Sequence, residues 1–179
     1  MPPVPEKGGD PNYKNPRVEP ADHGLGHSRG GWSTKSHVAV DPSGHLRAVV
    51  VTPGQAGENP RLLDVLDLTG DRVCRVVADK AYSHPSTRVA LRRRRVKATI
   101  PERDDQIARR KAKGSAGGRP PDFDRAIYKG RNVVERFFNR VKEFRGIATR
   151  YDKHARNYRA GIVLAGLIVY LRDQLRDTP

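Results

Sequence analysis

The sequence predicts an α/β domain. Three observations predict it: alternating and valine-rich runs joined by a turn in the first third, short apolar runs interleaved with helix-patterned segments in the middle, and two long helical stretches at the end. A length of 179 residues suits one ordinary domain.

Taken in order, residues 1–31 come first. Six of the chain's 14 prolines fall within the first 20 positions, and apolar side chains are scarce there. Such a segment cannot bury enough surface to offset its ordering entropy, so it reads as an irregular, disordered tail. From Trp32, read as a packing residue, the pattern becomes sheet-like. Ser36 to Val40 alternates, Asp41-Pro42-Ser43-Gly44 suits a type I turn, and Leu46 to Thr52 is rich in valine; together they predict a β-hairpin. Asn59-Pro60 starts a short helix carrying Leu62, Leu63 and Leu66. Val73 to Ala78 reads as a buried strand ending at Asp79, with Cys74 a small core hydrophobe inside it. A basic helix over His84 to Arg95 and a short strand over Val96 to Ile100 follow. Glu102 to Pro121, rich in glycine and basic residues, reads as a mobile loop. Helices are expected over Asp124 to Arg145 and Ala155 to Arg176. In the last of these, Ile162, Val163, Leu167, Ile168 and Leu171 are the expected core positions.

Composition narrows the function. Lys and Arg number 35 against 20 Asp and Glu, a net charge of +15, which excludes an acidic disordered protein and points to a polyanion, nucleic acid or anionic lipid. The charge is concentrated. Arg92 to Arg119 carries 11 basic and three acidic residues, and so does Arg125 to Arg159, so each block holds a net +8. An arginine-rich solvated surface is the plainer reading. Two blocks holding essentially all the net charge favour a surface that tracks phosphates, for which the planar guanidinium fork is suited. The single cysteine excludes a disulfide framework and fits a reducing compartment, and the six histidines show no metal-ligand spacing. Ala160 to Leu171 is apolar but well short of the roughly 20 residues of a membrane span. No secretory pattern follows Met1, so a cytoplasmic protein is expected. Aromatic residues at 6%, with no stacking motif, disfavour an RNA-binding protein.

Two places could carry chemistry. Asp79 closes a strand, where ligands of open α/β sheets bind, although an acid there also serves as a turn former or helix cap. Further on, Tyr128, Arg131, Glu135 and Lys142 lie at i, i+3, i+7 and i+14, within roughly 60° of arc on one helix. Val134, Phe137, Phe138, Val141 and Phe144 occupy another side, suited to packing on a sheet. The polar stripe also reads as an ordinary charged face with i, i+4 pairs.

The pattern Tyr128-x-x-Arg131-x-x-x-Glu135-x(6)-Lys142 resembles the signature of DDE transposases of bacterial insertion sequences, in the branch usually numbered four and five. Gly26-His27-Ser28-Arg29-Gly30-Gly31, Thr52-Pro53-Gly54-Gln55-Ala56-Gly57 and Ala78-Asp79-Lys80-Ala81-Tyr82-Ser83 are similar to words of that family in the family's order. Asn132-Val133-Val134-Glu135-Arg136-Phe137 and Ala148-Thr149-Arg150-Tyr151-Asp152-Lys153 continue the series.

The resemblance implies a ribonuclease H-like domain, here over residues 32–176. In that family three carboxylates hold two divalent ions, Mg²⁺ or Mn²⁺, for cleavage and strand transfer of DNA at the element's ends. By residue match Asp79 is the second carboxylate and Glu135 the third, both catalytic and metal-binding, while Tyr128, Arg131 and Lys142 contact DNA. It also implies a cytoplasmic, nucleoid-associated bacterial protein with no membrane partner.

One family feature has no counterpart. The first catalytic Asp belongs on a strand before Gly26, whereas Asp10 and Asp22 lie among Pro, Gly and polar residues and Asp41 falls in the hairpin turn. The expectation is an incomplete catalytic domain, truncated before that Asp, inactive alone, with a hairpin edge left open for another transposase chain to supply the missing strand. A non-catalytic DNA-binding remnant, regulating transposition, is the alternative.

Overall fold

The computed structural model describes residues 22–176. Asp41 to Gly44 sets its first corner: the Gly44 N–H donates to the Asp41 carbonyl at 3.0 Å, and Gly44 takes φ +90°, a conformation a Cβ would strain. This turn joins β2 (Gly31–Val40) to β3 (Leu46–Pro53), which pair antiparallel from Thr34↔Pro53 to Val40↔Leu46. The predicted hairpin is therefore present, with β2 starting five residues before its alternating stretch. A second hairpin adds β1 (Gly26–Ser28) to the other side of β2.

β1 falls inside the predicted irregular tail. Residues 22–31 are instead held in the fold: Arg150 donates to the carbonyls of His23 and Gly24 and to the Thr34 hydroxyl, and the Ala155 N–H donates to the Asp22 carbonyl at 2.9 Å. The remainder of that expectation, residues 1–21, lies outside the described residues. Trp32 is 57% exposed, with the His27 ring edge-to-face beside it, so it packs far less than expected.

α1 (Arg61–Asp67) starts after Pro60, as predicted. β4 (Arg75–Val77) and β5 (Lys97–Thr99) run parallel, in register from Arg75↔Lys97 to Val77↔Thr99, and α2 (Pro85–Arg93) supplies the crossover that a parallel pair requires. These two strands form their own sheet. The single mixed sheet expected from the sequence is thus two small sheets, one antiparallel and one parallel. Cys74, expected inside a core strand, precedes β4 and is exposed; β4 is only three residues long and buries only Val76.

Glu102 to Pro121 contains a helix, α3 (Asp104–Ala112), followed by a single 3-10 turn over Gly114–Gly117. Asp104 and Asp105 place acid in its first turn, the Arg103 N–H donates to Gln106 Oε1 at 3.3 Å, and Arg110 reaches back to Glu102 at 2.9 Å. The glycines that suggested a loop come only after the helix.

The single helix expected over Asp124 to Arg145 is broken. α4 (Arg125–Lys129) ends at Gly130, α5 (Asn132–Lys142) follows, and an extended Phe144 separates it from α6 (Arg145–Thr149). α7 (Ala155–Arg176) has its predicted bounds. Its buried residues are Ile162, Ala165, Gly166 and Val169; Val163, Leu167, Ile168 and Leu171, expected in the core, are exposed. The small residues explain the difference. A Cβ on Gly166 would come within 2.9 Å of the Leu46 side chain, so only this face lets the helix approach β3 so closely.

Two cores result. Leu62, Val76, Leu91 and Ile100 form one, beneath α1 and α2. Phe137, Val141, Ala165 and Val169 form the other, where α5 and α7 meet Val38, Val40 and Leu46 of the antiparallel sheet. Among the described residues, no helix is long and apolar enough to cross a membrane.

Candidate functional site

β4 delivers the first carboxylate. Beyond Val77 the Ala78 N–H still reaches the Thr99 carbonyl (3.4 Å); the chain then leaves the sheet at Asp79 and enters a 3-10 turn, Lys80–Tyr82, closed by the Tyr82 N–H on the Asp79 carbonyl at 3.0 Å. The Asp79 side chain is exposed and makes no capping hydrogen bond, so it does not serve as the helix cap that the sequence allowed.

A buried link anchors this turn from behind. Tyr82 packs against the first core and places its hydroxyl 3.3 Å from His37 Nδ1, while His37 Nε2 lies 2.8 Å from the Thr52 hydroxyl. Burial, with smaller contributions from Glu58 and Asp79, pushes the Tyr82 phenol up to about 12. Burial also holds the His37 imidazole below its ordinary value, outweighing the opposing pull of Glu58. A neutral ring with its proton on Nε2 satisfies both contacts. Sequence reading singled out neither residue. The signals were a histidine at an inward position of an alternating strand and a tyrosine three residues after the strand-end acid.

Glu135 lies in the first turn of α5, where the helix dipole favours an acid. Its Oε1 meets Arg131 Nη1 at 2.5 Å, and its Oε2 is buried without a hydrogen-bond partner. Arg131 also sits 5.7 Å from the centre of the Tyr128 ring. Burial pulls this guanidinium's pKa down. The hydrogen bond and charge of Glu135, then Tyr128, then Asp79, outweigh that and raise it. Glu135 is thus the partner of this cation by contact, and Asp79 enters only as the smallest of these influences.

Arg131 meets both Glu135 and Tyr128, which stand on two helices rather than on the one expected. Tyr128 belongs to α4, across the Gly130 break. Lys142 lies two turns along α5, about 10 Å in axial rise. It extends over the Phe138 ring (6.0 Å) and lines a cavity of about 250 Å³ with Thr34, Ser36 and Tyr158. Among the described residues, no three His, Cys, Asp or Glu side chains come together as a metal-holding group.

Fold and site define an α/β domain with one carboxylate at a strand end and another on a helix, the second paired with an arginine. Residues 5–171 match the family described as Transposase DDE domain, and the chain belongs to that family. It is also 33% identical over 141 residues to a protein of Brucella ovis named "Putative transposase for insertion sequence element IS6501", an alignment covering 78% of this chain and 99% of that one. No solved structure matches it. The family's chemistry uses divalent metal ions.

Proposed function

We propose that this chain is the ribonuclease H-like catalytic portion of an insertion-sequence DDE transposase, one that binds DNA and does not cut it alone. The observation that carries this reading is Glu135, held by Arg131 through one carboxylate oxygen with the other left buried and unpartnered. Carboxylates are the hard oxygen donors that magnesium or manganese takes, and the buried, unpartnered Oε2 of Glu135 is a donor still to be satisfied. Asp79 and Glu135 would hold the two ions, which when bound supply activation of the attacking hydroxyl and stabilisation of the leaving oxygen.

The chain's own residues do the rest. Arg131 orients Glu135 and balances the two acids. Tyr128 braces Arg131 through its ring face and presents a hydroxyl to the DNA backbone. Lys142, further along α5, attracts a phosphate away from the carboxylates. The reading of inactivity alone rests on the sequence, in which Asp10 and Asp22 lie among Pro, Gly and polar residues and Asp41 falls in the hairpin turn. A second transposase chain, bringing a strand and an Asp, would complete the ligand set. Acting alone, the chain would occupy element ends and target DNA and so restrain transposition. It would work in the bacterial cytoplasm, on the nucleoid when DNA-bound.

The test pairs binding with cleavage. Fluorescence anisotropy on duplex DNA carrying the element's ends should show binding that weakens steeply with salt, and incubation with Mg²⁺ or Mn²⁺ should leave the DNA intact. Affinity indifferent to salt removes the electrostatic reading. Cleavage by the purified chain, lost in Glu135→Gln, would overturn inactivity and make the chain a complete enzyme.

A further inference from the structure

The β1–β2 hairpin ends in a pinned tip, Ser28-Arg29-Gly30-Gly31. The Ser28 hydroxyl donates to the Gly31 carbonyl at 2.9 Å and accepts from the Ser33 hydroxyl at 3.0 Å. A Cβ built on Gly30 or Gly31 would meet nothing within 4 Å, so among the described residues the space beside the tip is open. Trp32 stands there with 57% of its surface in solvent. The His27 ring lies 5.8 Å away at 85°, and a perpendicular neighbour covers at most one face of the indole. Alternation places Trp32, Thr34, Ser36 and Val38 on one face of β2. Along that face Val38 packs against the second core, and Thr34 and Ser36 line the cavity that holds Lys142. Trp32 occupies the open end, about 13 Å along the strand from Ser36.

We propose that Trp32 is a stacking platform for unpaired DNA: an exposed base lies on the free face of the indole, and Lys142 takes a phosphate of the same strand. The inference rests on the DNA-binding reading and adds which part of the nucleic acid is held. The chemistry of the tip selects this occupant. An indole face standing in water is matched by another flat π-system, and the exposed Arg29, three residues away, supplies charge for the adjoining backbone. An apolar protein partner would need more than one ring, and from Gly26 to Ser36 Trp32 is the sole large apolar side chain. A paired base hides its faces in the stack and offers only its edges to the grooves, so the platform favours a strand that is open. Every base has a π-face, so the preference is for strandedness rather than sequence.

Trp32 is the chain's one tryptophan, so its fluorescence reports this position alone. Titrating the full chain with single-stranded oligothymidylate should quench that emission in step with binding. The same strand fully paired with oligodeoxyadenylate should quench it far less. In anisotropy titrations with labelled oligonucleotides, Trp32→Ala should weaken single-strand binding about tenfold and duplex binding less than about twofold, and Trp32→Phe should recover most of the loss. The position is exposed, so circular dichroism should show both variants folded as before. Lys142→Gln should flatten the salt slope on the single strand by about 0.7 and leave the quenching in place. DNA bound with its salt dependence intact but with unchanged emission overturns the platform and leaves the DNA-binding reading standing. A chain that binds no DNA at any salt concentration overturns both. Equal quenching by the duplex, equal loss on both DNAs in Trp32→Ala, or no recovery in Trp32→Phe overturns the platform, as does a single-strand salt slope that Lys142→Gln leaves unmoved.

Discussion

Which cations of the second basic block touch DNA can be read from the salt dependence of binding, because the structure divides them into engaged and disengaged. Arg131, Arg140 and Arg156 are paired with Glu135, Asp173 and Asp22, and Arg159 donates to the Val49 carbonyl. Arg125, Lys129, Arg136, Lys142, Arg145 and Lys153 make no ion pair or side-chain hydrogen bond with the described residues. If all six meet phosphates, log K should fall against log salt with a slope of about −5, a loss of about 10³ in affinity between roughly 50 and 200 mM salt. Arg136→Gln and Lys142→Gln should each flatten the slope by about 1. Arg140→Gln should not. It removes a bidentate bond to Asp173, with oxygens at 2.6 and 2.8 Å, and should cost about 1 kcal/mol of stability after allowance for its partial exposure. Anisotropy titrations at several salt concentrations, with urea unfolding alongside, measure both. An Arg140→Gln that flattens the slope as much as Lys142→Gln would refute the division, as would a slope that no substitution alters.

Two further outcomes concern the fold. Phe137 is 1% exposed at the centre of the second core, so Phe137→Ala should cost about 3–5 kcal/mol, read as a lower urea midpoint with the slope m unchanged. His37 is held neutral by burial, so its folded pKa lies below its ordinary 6.5. The unfolded chain then binds the proton first, and stability should fall as pH drops below about 6.5, down to the folded value. Urea midpoints measured from neutral to mildly acidic pH should show this decline, and His37→Gln should remove its histidine component; an unchanged pH profile in that variant would show that the ring is not held neutral.

What could be read in the sequence is what neighbouring residues decide. Asp41-Pro42-Ser43-Gly44 carries its own turn chemistry, so the β2–β3 hairpin was legible; so were the bounds of α7 and the helix start at Asn59-Pro60. The failures share a cause. On α7 the bulky residues look like core, yet the inward face is chosen by Ala165 and Gly166, because only small residues admit Leu46 at that distance. The break at Gly130 depends on one weak helix former inside a strong pattern, and it moves Tyr128 to another helix. α3 was hidden by the glycines that follow it. At the site, the strand-end position of Asp79 and the spacing of Arg131 and Glu135 were readable, whereas the link from His37 to Tyr82 behind the Asp79 turn is a contact between distant parts of the chain.

That distance bears on how the site is built. Asp79 follows β4, whose Val76 lies in the first core; Glu135 stands on α5, whose Phe137 and Val141 lie in the second. Nothing in the ladders joins the two sheets. What joins the cores is α1, whose Leu62 lies in the first core while the helix packs against β2 and β3, together with the hydrogen bond from β2 through His37 to Tyr82 behind the Asp79 turn. The separation of the two carboxylates is therefore set by side-chain contacts between two independently packed units. Loosening such a link leaves each unit's own apolar packing in place and changes only how the two acids face one another. Substitutions at this seam should thus act on the site well before they act on the fold.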